Sequence, residues 1–225
     1  MKALAVAPNL VEQVRDAILE EIASGTLAPG ERIIQEQIAQ ALGVSRQPVQ
    51  QALALLRGQG VLQDAPGRGL FVAPLDADHV RHMYDMRAAI EGLACRRAAQ
   101  EQGERALRQG RPLIEAGRKA VASGVVAKMI AADMRFHQFL YALSGNPLIA
   151  PALDPHLTYT QRVMGEVLIH DDSPRDIWDQ HAAILDAIAA GDGDRAEQLV
   201  REHLSGAADF MVAQLRAQVV EQPST

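Results

Sequence analysis

Apolar residues recur every four positions at Leu10, Val14, Ile18 and Ile22, the spacing of one buried stripe on a helix. Ser24-Gly25 ends that helix, and Ala28-Pro29-Gly30 turns the chain. A second, short helix is expected over Gln35–Leu42, with Ile38, Ala39 and Leu42 facing inward and Gly43 as its stop. Ser45 is placed to cap a third helix, its hydroxyl accepting an orphan backbone N–H of the first turn. Val44 and Val49 have the spacing of a hydrophobic staple, and Pro48 falls in the first turn, where its missing N–H costs nothing. Small Ala39 lets the second and third helices approach, while Val49 and Leu53 close a little core. These pieces make a helix-turn-helix. Beyond it, Val61-Leu62-Gln63 and Leu70-Phe71-Val72 read as two short strands around Pro66-Gly67-Arg68-Gly69, a hairpin with a basic tip.

From Asp76 onward the pattern is helical throughout. Ala73-Pro74-Leu75 reads as a linker, and Asp76 is placed to cap the helix that follows. Helices are expected near 76–101, 103–122, 125–143, 147–169, 174–190 and 193–217, separated by Gly and Pro. Pro151 and Pro155 are expected to kink or delay the fourth of them. The predicted fold is mostly α: a winged helix-turn-helix of three helices and a two-stranded wing over 1–74, then an antiparallel all-helical bundle over 75–225.

Composition narrows the setting. Hydrophobic residues are 48% of the 225, enough for ordinary buried cores, and aromatics only 4%, which favours aliphatic helix packing. No apolar run reaches the ~20 residues of a membrane helix, and the first residues are too weakly hydrophobic for a secretion signal. The single cysteine, Cys95, excludes an internal disulfide and reads as a small buried hydrophobe, which fits a cytoplasmic location. The net charge of −6 argues against a non-specific nucleic-acid binder. Residues 1–75 carry six basic side chains (Lys2, Arg15, Arg32, Arg46, Arg57, Arg68) against seven acidic ones (Glu12, Asp16, Glu20, Glu21, Glu31, Glu36, Asp64), so a DNA footprint has to be local.

The stretch Ile22–Val72, with APGERI, LGVSRQPV, GVL and GRGLFV in order, resembles the DNA-binding domain of the GntR family. That resemblance implies a third helix in the major groove and a wing reaching a minor groove or the backbone. It implies DNA contact by Ser45, Arg46 and Gln50 on the helix and by Arg68 and Gly69 at the wing tip. The chain departs from the family at Gln50, often Arg, at Gln51, often Glu, and at Glu36, where some members have a DNA-contacting Arg. Fewer cations mean less phosphate attraction; Gln50 can instead read an adenine edge through a bidentate pair.

The helical region holds a second candidate. Asp133 and His137, four apart, share one helix face. His181 sits among Ile184 and Leu185, and His203 among Leu199, Val200 and Leu204, so both are expected to face inward. Three imidazoles and a carboxylate suit a divalent transition metal. On spacing alone, a lone inward histidine is more often a hydrogen-bonded core residue. The segments DMRFHQFLYALSGNPLI, WDQHAAILDAIAAGD and VREHLSGA resemble the FCD ligand-binding domain, which accompanies such a winged helix in the FadR branch of the GntR family. The resemblance implies a metal, zinc or nickel foremost, held by Asp133, His137, His181 and His203, with a small carboxylate completing its coordination. Arg87 and Arg162 match positions where relatives place effector-binding arginines; an ion pair is the plainer reading of each. His79, His82, His156 and His170 read as surface, interface or loop residues, and Asn146 as a turn-former.

The expected function is a DNA-binding transcription regulator, a homodimer reading two half-sites of double-stranded operator DNA. It is expected to repress until a small organic acid binds at the metal centre. One alternative is a metal-sensing regulator without an organic effector. The other is a metal-dependent enzyme carrying a DNA-binding module, although no HExxH pattern or phosphate-binding glycine loop appears.

Overall fold

The computed structural model describes residues 9–23, 25–65, 67, 69–168 and 177–221, with side chains through residue 217. The chain divides at Leu75/Asp76 into two compact units.

The first unit runs α1 (Leu10–Ala23), β1 (Arg32–Ile33), α2 (Gln35–Leu42), α3 (Arg46–Gly58), β2 (Leu62–Asp64) and β3 (Leu70–Val72). Its core joins Val14 and Ile18 of α1, Ala39 of α2, and Val49, Ala52, Leu53 and Leu56 of α3 to Leu62 and Val72 of the sheet. Gly43 ends α2 in the left-handed conformation, φ 65°, which a residue with a Cβ adopts only with strain. This turn brings Val44 onto the core and leaves Leu42 40% exposed, against expectation. Ser45 does occupy the N-cap of α3, but its hydroxyl makes no cap hydrogen bond. Instead the Gln35 side-chain amide donates to the Arg46 carbonyl at 2.9 Å, tying the start of α2 to that of α3.

The two expected strands of the wing, β2 and β3, pair antiparallel, and β1 joins them in a three-stranded sheet of order β1-β3-β2. β1 places Arg32 opposite Phe71 and Ile33 opposite Leu70. Two residues give no alternation to detect, so β1 is invisible to periodicity. Ser24, Pro66 and Arg68 lie outside the described residues, so the expected basic tip is represented only by its neighbours Gly67 and Gly69.

The second unit is helical: α4 (Ala77–Glu101), α5 (Gly103–Ala122), α6 (Val126–Leu143), α7 (Ile149–Leu168), α8 (Ile177–Ala189) and α9 (Gly193–Glu221). Asp76 caps α4, accepting from the Asp78 and His79 amides at 2.9 and 3.3 Å. Asn146 forms the turn before α7, its side-chain oxygen accepting from the Leu148 amide at 3.0 Å. Pro155 stands inside α7 without ending it. α7 begins at Ile149, two residues after the expected start at Pro147, and the expected start at Pro174 lies outside the described residues, as do His170, Asp171 and Asp172. Cys95 is fully buried in α4.

α5 packs on both α6 and α8. It approaches α8 closely because Gly110 and Gly117, seven residues apart, share one face. A Cβ at Gly117 would lie 2.0 Å from the Trp178 ring. Trp178 is itself buried and ring-packed against Phe136 and His181. Gly117→Ala gains about 1 kcal/mol of helix propensity, but overpacking against a confined indole costs more, about 3 kcal/mol. The net expectation is lower stability, read as a lower urea midpoint with unchanged m. A variant as stable as the parent would show that the α5–α8 contact opens at no cost.

Candidate functional site

Three helices of the second unit bring a polar cluster into its interior. α6 supplies Asp133 and His137, α8 supplies His181, and α9 supplies His203. The three histidines are buried, and the Asp133 side chain is 14% exposed. One ring nitrogen from each histidine lies within 4.8 Å of the others. His181 Nε2 faces His203 Nε2 at 3.1 Å. The Asp133 carboxylate is 3.5 Å from His181 Nε2 and 3.8 Å from His137 Nε2. The structure thus brings together all four residues singled out from the sequence.

The far side of each ring decides which nitrogen points inward. His137 Nδ1 is 2.6 Å from the Glu91 carboxylate, an acceptor, so that nitrogen carries a proton and Nε2 is the one turned toward the cluster. His203 Nδ1 is 2.9 Å from the Gln180 side-chain oxygen, with the same result. His181 Nδ1 is buried without a hydrogen-bond partner among the described residues. Its ring is fixed by packing instead, stacked on Phe136 at 4.4 Å and edge-on to Trp178 at 4.7 Å.

Electrostatics favour unprotonated donors. Burial, then the nearby His137 and Arg87, pushes His203 down to about 3, against the opposing pull of Glu91. Burial and the same surroundings, with His203 added, hold His181 well below the ordinary histidine range. Burial raises Asp133, partly countered by His137 and Arg87. Lone pairs and a carboxylate therefore converge with few protons among them, an arrangement that a cation satisfies.

Arg87 and Glu91, one turn apart on α4, are both buried and paired through Arg87 Nε at 2.8 Å. Arg87 also lies 5.0 Å over the Tyr84 ring, and its Nη2 is buried without a hydrogen-bond partner among the described residues. The Tyr141 hydroxyl donates to the same Glu91 oxygen at 2.9 Å. Burial would raise the Glu91 carboxyl, but Arg87 and His137 outweigh it and hold it well below the usual carboxylate range. Arg162 sits half-buried on α7; burial lowers it, and its coupling to Tyr159 and Glu166 opposes this. Glu91, Tyr141 and Gln180 escaped the sequence reading. Glu91 had one signal, its four-residue spacing from Arg87.

In the first unit, α3 presents Arg46, Gln47, Gln50, Gln51 and Leu55 to solvent, while Val49, Ala52, Leu53 and Leu56 are buried. Arg46 and Gln50, four apart, share that face. Arg46 is ion-paired to Glu36 of α2, both side chains mostly exposed. Arg57 reaches Asp64 of β2 at 3.2 Å. Gly69 has φ 110°, and a Cβ there would meet the Arg32 guanidinium at 3.3 Å. Arg32 therefore lies against the wing beside Gly69, a cation that the sequence reading left unassigned. Among the described residues, no helix is long and apolar enough to cross a membrane.

Comparison with known proteins gives these two units their family. Residues 10–72 match the family model described as bacterial regulatory proteins, gntR family, and residues 82–206 match the FCD domain. The chain is 28% identical over 193 residues to the HTH-type transcriptional repressor RspR of Escherichia coli (strain K12), covering 86% of this chain and 85% of that one. It is 29% identical over 198 residues to a probable D-xylose utilization operon transcriptional repressor of Paenarthrobacter nicotinovorans, covering 88% and 86%. The fold resembles that of E. coli McbR/YncC, with a TM-score of 0.77 at 21% identity over 93% of this chain and 99% of that one. The chain belongs to the GntR family, with an FCD domain after its winged helix, and it is a DNA-binding transcription regulator, not an enzyme.

Proposed function

We propose that this regulator is a cytoplasmic homodimeric repressor, released from its operator by a small carboxylate-containing metabolite bound at a divalent-metal centre. The observation that carries the reading is the convergence of three imidazole nitrogens and one carboxylate in a buried cluster. Asp133, His137, His181 and His203 fit a transition metal such as zinc or nickel in donor type and charge. A bound divalent cation would supply Lewis-acid positions for an organic carboxylate. Arg87, with Nη2 buried and unbonded, offers a guanidinium edge for that anion; Arg162 is proposed as a second anion-binding cation. Release of DNA requires that the metabolite bind the free and DNA-bound forms with different affinity. A thermal-shift screen of sugar acids, hydroxy acids and amino-acid derivatives, with and without chelator, tests the site. Titrating each hit into the protein–operator complex tests the coupling. A metabolite that binds yet leaves operator affinity unchanged defeats it, and release by metal alone makes the ion itself the signal.

On the DNA side, Ser45, Arg46 and Gln50 of α3 are proposed to enter the major groove, with Arg68 and Gly69 at the wing. Arg46 has to exchange Glu36 for a phosphate or a base. Arg46→Ala is therefore expected to weaken operator binding roughly tenfold and to lower the salt slope by about one. Glu36→Gln, which frees the cation, is expected to act in the opposite direction. Fluorescence anisotropy across a salt series measures both, and unchanged affinity and slope for Arg46→Ala remove α3's first turn from the interface.

A further inference from the structure

A fully buried carboxylate is costly unless every lone pair is engaged. Glu91 meets that demand asymmetrically. Its Oε1 takes two donors, Arg87 Nε at 2.8 Å and the Tyr141 hydroxyl at 2.9 Å. Its Oε2 is left to His137 Nδ1 at 2.6 Å. All four residues are at most 1% exposed. One anion on α4 therefore joins the arginine proposed to take the metabolite to a histidine of the cation cluster.

The three histidines are held in different ways. On the side away from the cluster, His137 is held by a buried anion, His203 by the neutral amide of exposed Gln180, and His181 by aromatic packing, with no hydrogen bond to its Nδ1 among the described residues. A carboxylate on the distal nitrogen both fixes the tautomer and makes the opposite nitrogen a better electron donor. We infer that Glu91 is a positioning residue that aims His137 Nε2 at the cation and holds Arg87 by Nε, so that cation and organic anion bind cooperatively through one shared carboxylate. This rests on the metal-centre reading above. Glu91 is not a ligand, since both its oxygens are occupied by donors. Its effect runs through the two side chains it grips. Arg87 gripped at Nε keeps Nη2 available for the anion, and reorientation of Arg87 by that anion is felt at His137.

The test uses the full chain and three measurements. Zn2+ affinity comes from competition with a chromophoric chelator. The Co2+ visible spectrum reports ligand geometry, and histidine ring 15N spectra of the wild type report tautomers. Glu91→Gln keeps the shape and removes the charge; it is expected to lower Zn2+ affinity 10- to 100-fold and to shift the Co2+ bands. Because Glu91→Gln leaves Arg87 as an unpaired buried cation, the double variant Arg87→Met/Glu91→Gln is measured beside it and is expected to show the same loss. In the wild type, His137 is expected to carry its proton on Nδ1 with Zn2+ bound, a result independent of any variant's folding. Wild-type protein that takes up no Zn2+ or Co2+ overturns the metal-centre reading and this inference together. Wild-type protein that binds metal, while folded variants match it within twofold and share its Co2+ spectrum, overturns the inference alone. So does a metal-loaded His137 lacking the Nδ1 proton.

Discussion

Replacing His181 with Ala is expected to weaken Zn2+ binding roughly a hundred- to a thousandfold. A structural zinc site is worth about 10–16 kcal/mol at neutral pH. Sharing that among four ligands assigns about 2.5–4 kcal/mol to each, and every 1.4 kcal/mol is tenfold. His181 is the residue to remove because its loss is hardest to repair. It is completely buried, with Phe136 stacked on one face and Trp178 against its edge, so water reaches the vacated position poorly. His203, at 6% exposed and beside the exposed Gln180, lies nearer solvent, and a water substitutes there more readily. The expected order of damage is therefore His181→Ala above His203→Ala. His79→Ala, which removes a ring packed on Tyr159 instead of on the cluster, leaves affinity unchanged. Competition titration at neutral pH reads all three. Affinity retained within a few fold in His181→Ala would show that the imidazoles are ordinary core residues.

How legible this was in the sequence varies by feature. Helix positions were readable because most helices carry periodic apolar stripes, and several have a Gly at or near an end. Gly43 is one such stop, and Gly103 starts α5 where expected. The four cluster residues were readable because apolar neighbours turn His181 and His203 inward, and a four-residue step puts Asp133 beside His137. Their convergence was implied only by the family resemblance, since no local pattern encodes how α6, α8 and α9 meet. Glu91 shows the limit most clearly. A glutamate four residues after an arginine on a helix is ordinarily an exposed pair of small value. Only the packing of α4 against α6 reveals that this pair is sealed and that its free oxygen holds His137. Ser45 fails in the other direction. Its type and position call for a capping hydroxyl, yet Gln35, eleven residues before Arg46, reaches across to tie down the start of α3. The unexpected strand β1 likewise exists through pairing with β3, not through its own two residues.

Acid is expected to destabilise the metal-free protein well before its carboxylates titrate. His203 is held at about 3 when folded against an ordinary 6.5, and His181 is held low by the same burial. Both are therefore neutral in the folded state and become charged in the unfolded chain as pH falls below 6.5. The unfolded state then binds more protons, so stability rises with pH over this window and is complete above about 6.5. Between pH 7.5 and 5.0 His203 costs roughly 2 kcal/mol, a large share of a typical domain's stability, and His181 adds to the loss in the same direction. Asp133 works the other way. Its raised carboxyl is most costly when ionised, so its protonation on further acidification gives back part of the loss. Metal changes the curve, because a cation on the same nitrogens stabilises the folded form by mass action until protons displace it from its ligands. Urea midpoints of chelated protein should fall steeply from pH 7.5 to 5.0, while those of Zn2+-loaded protein start higher and begin to fall at lower pH. His181→Ala/His203→Ala should flatten the metal-free curve over that interval. A chelated wild type whose midpoint is level from pH 7.5 to 5.0 would mean that these imidazoles gain protons in the folded protein as readily as in the unfolded chain, and that the buried cluster is open to water.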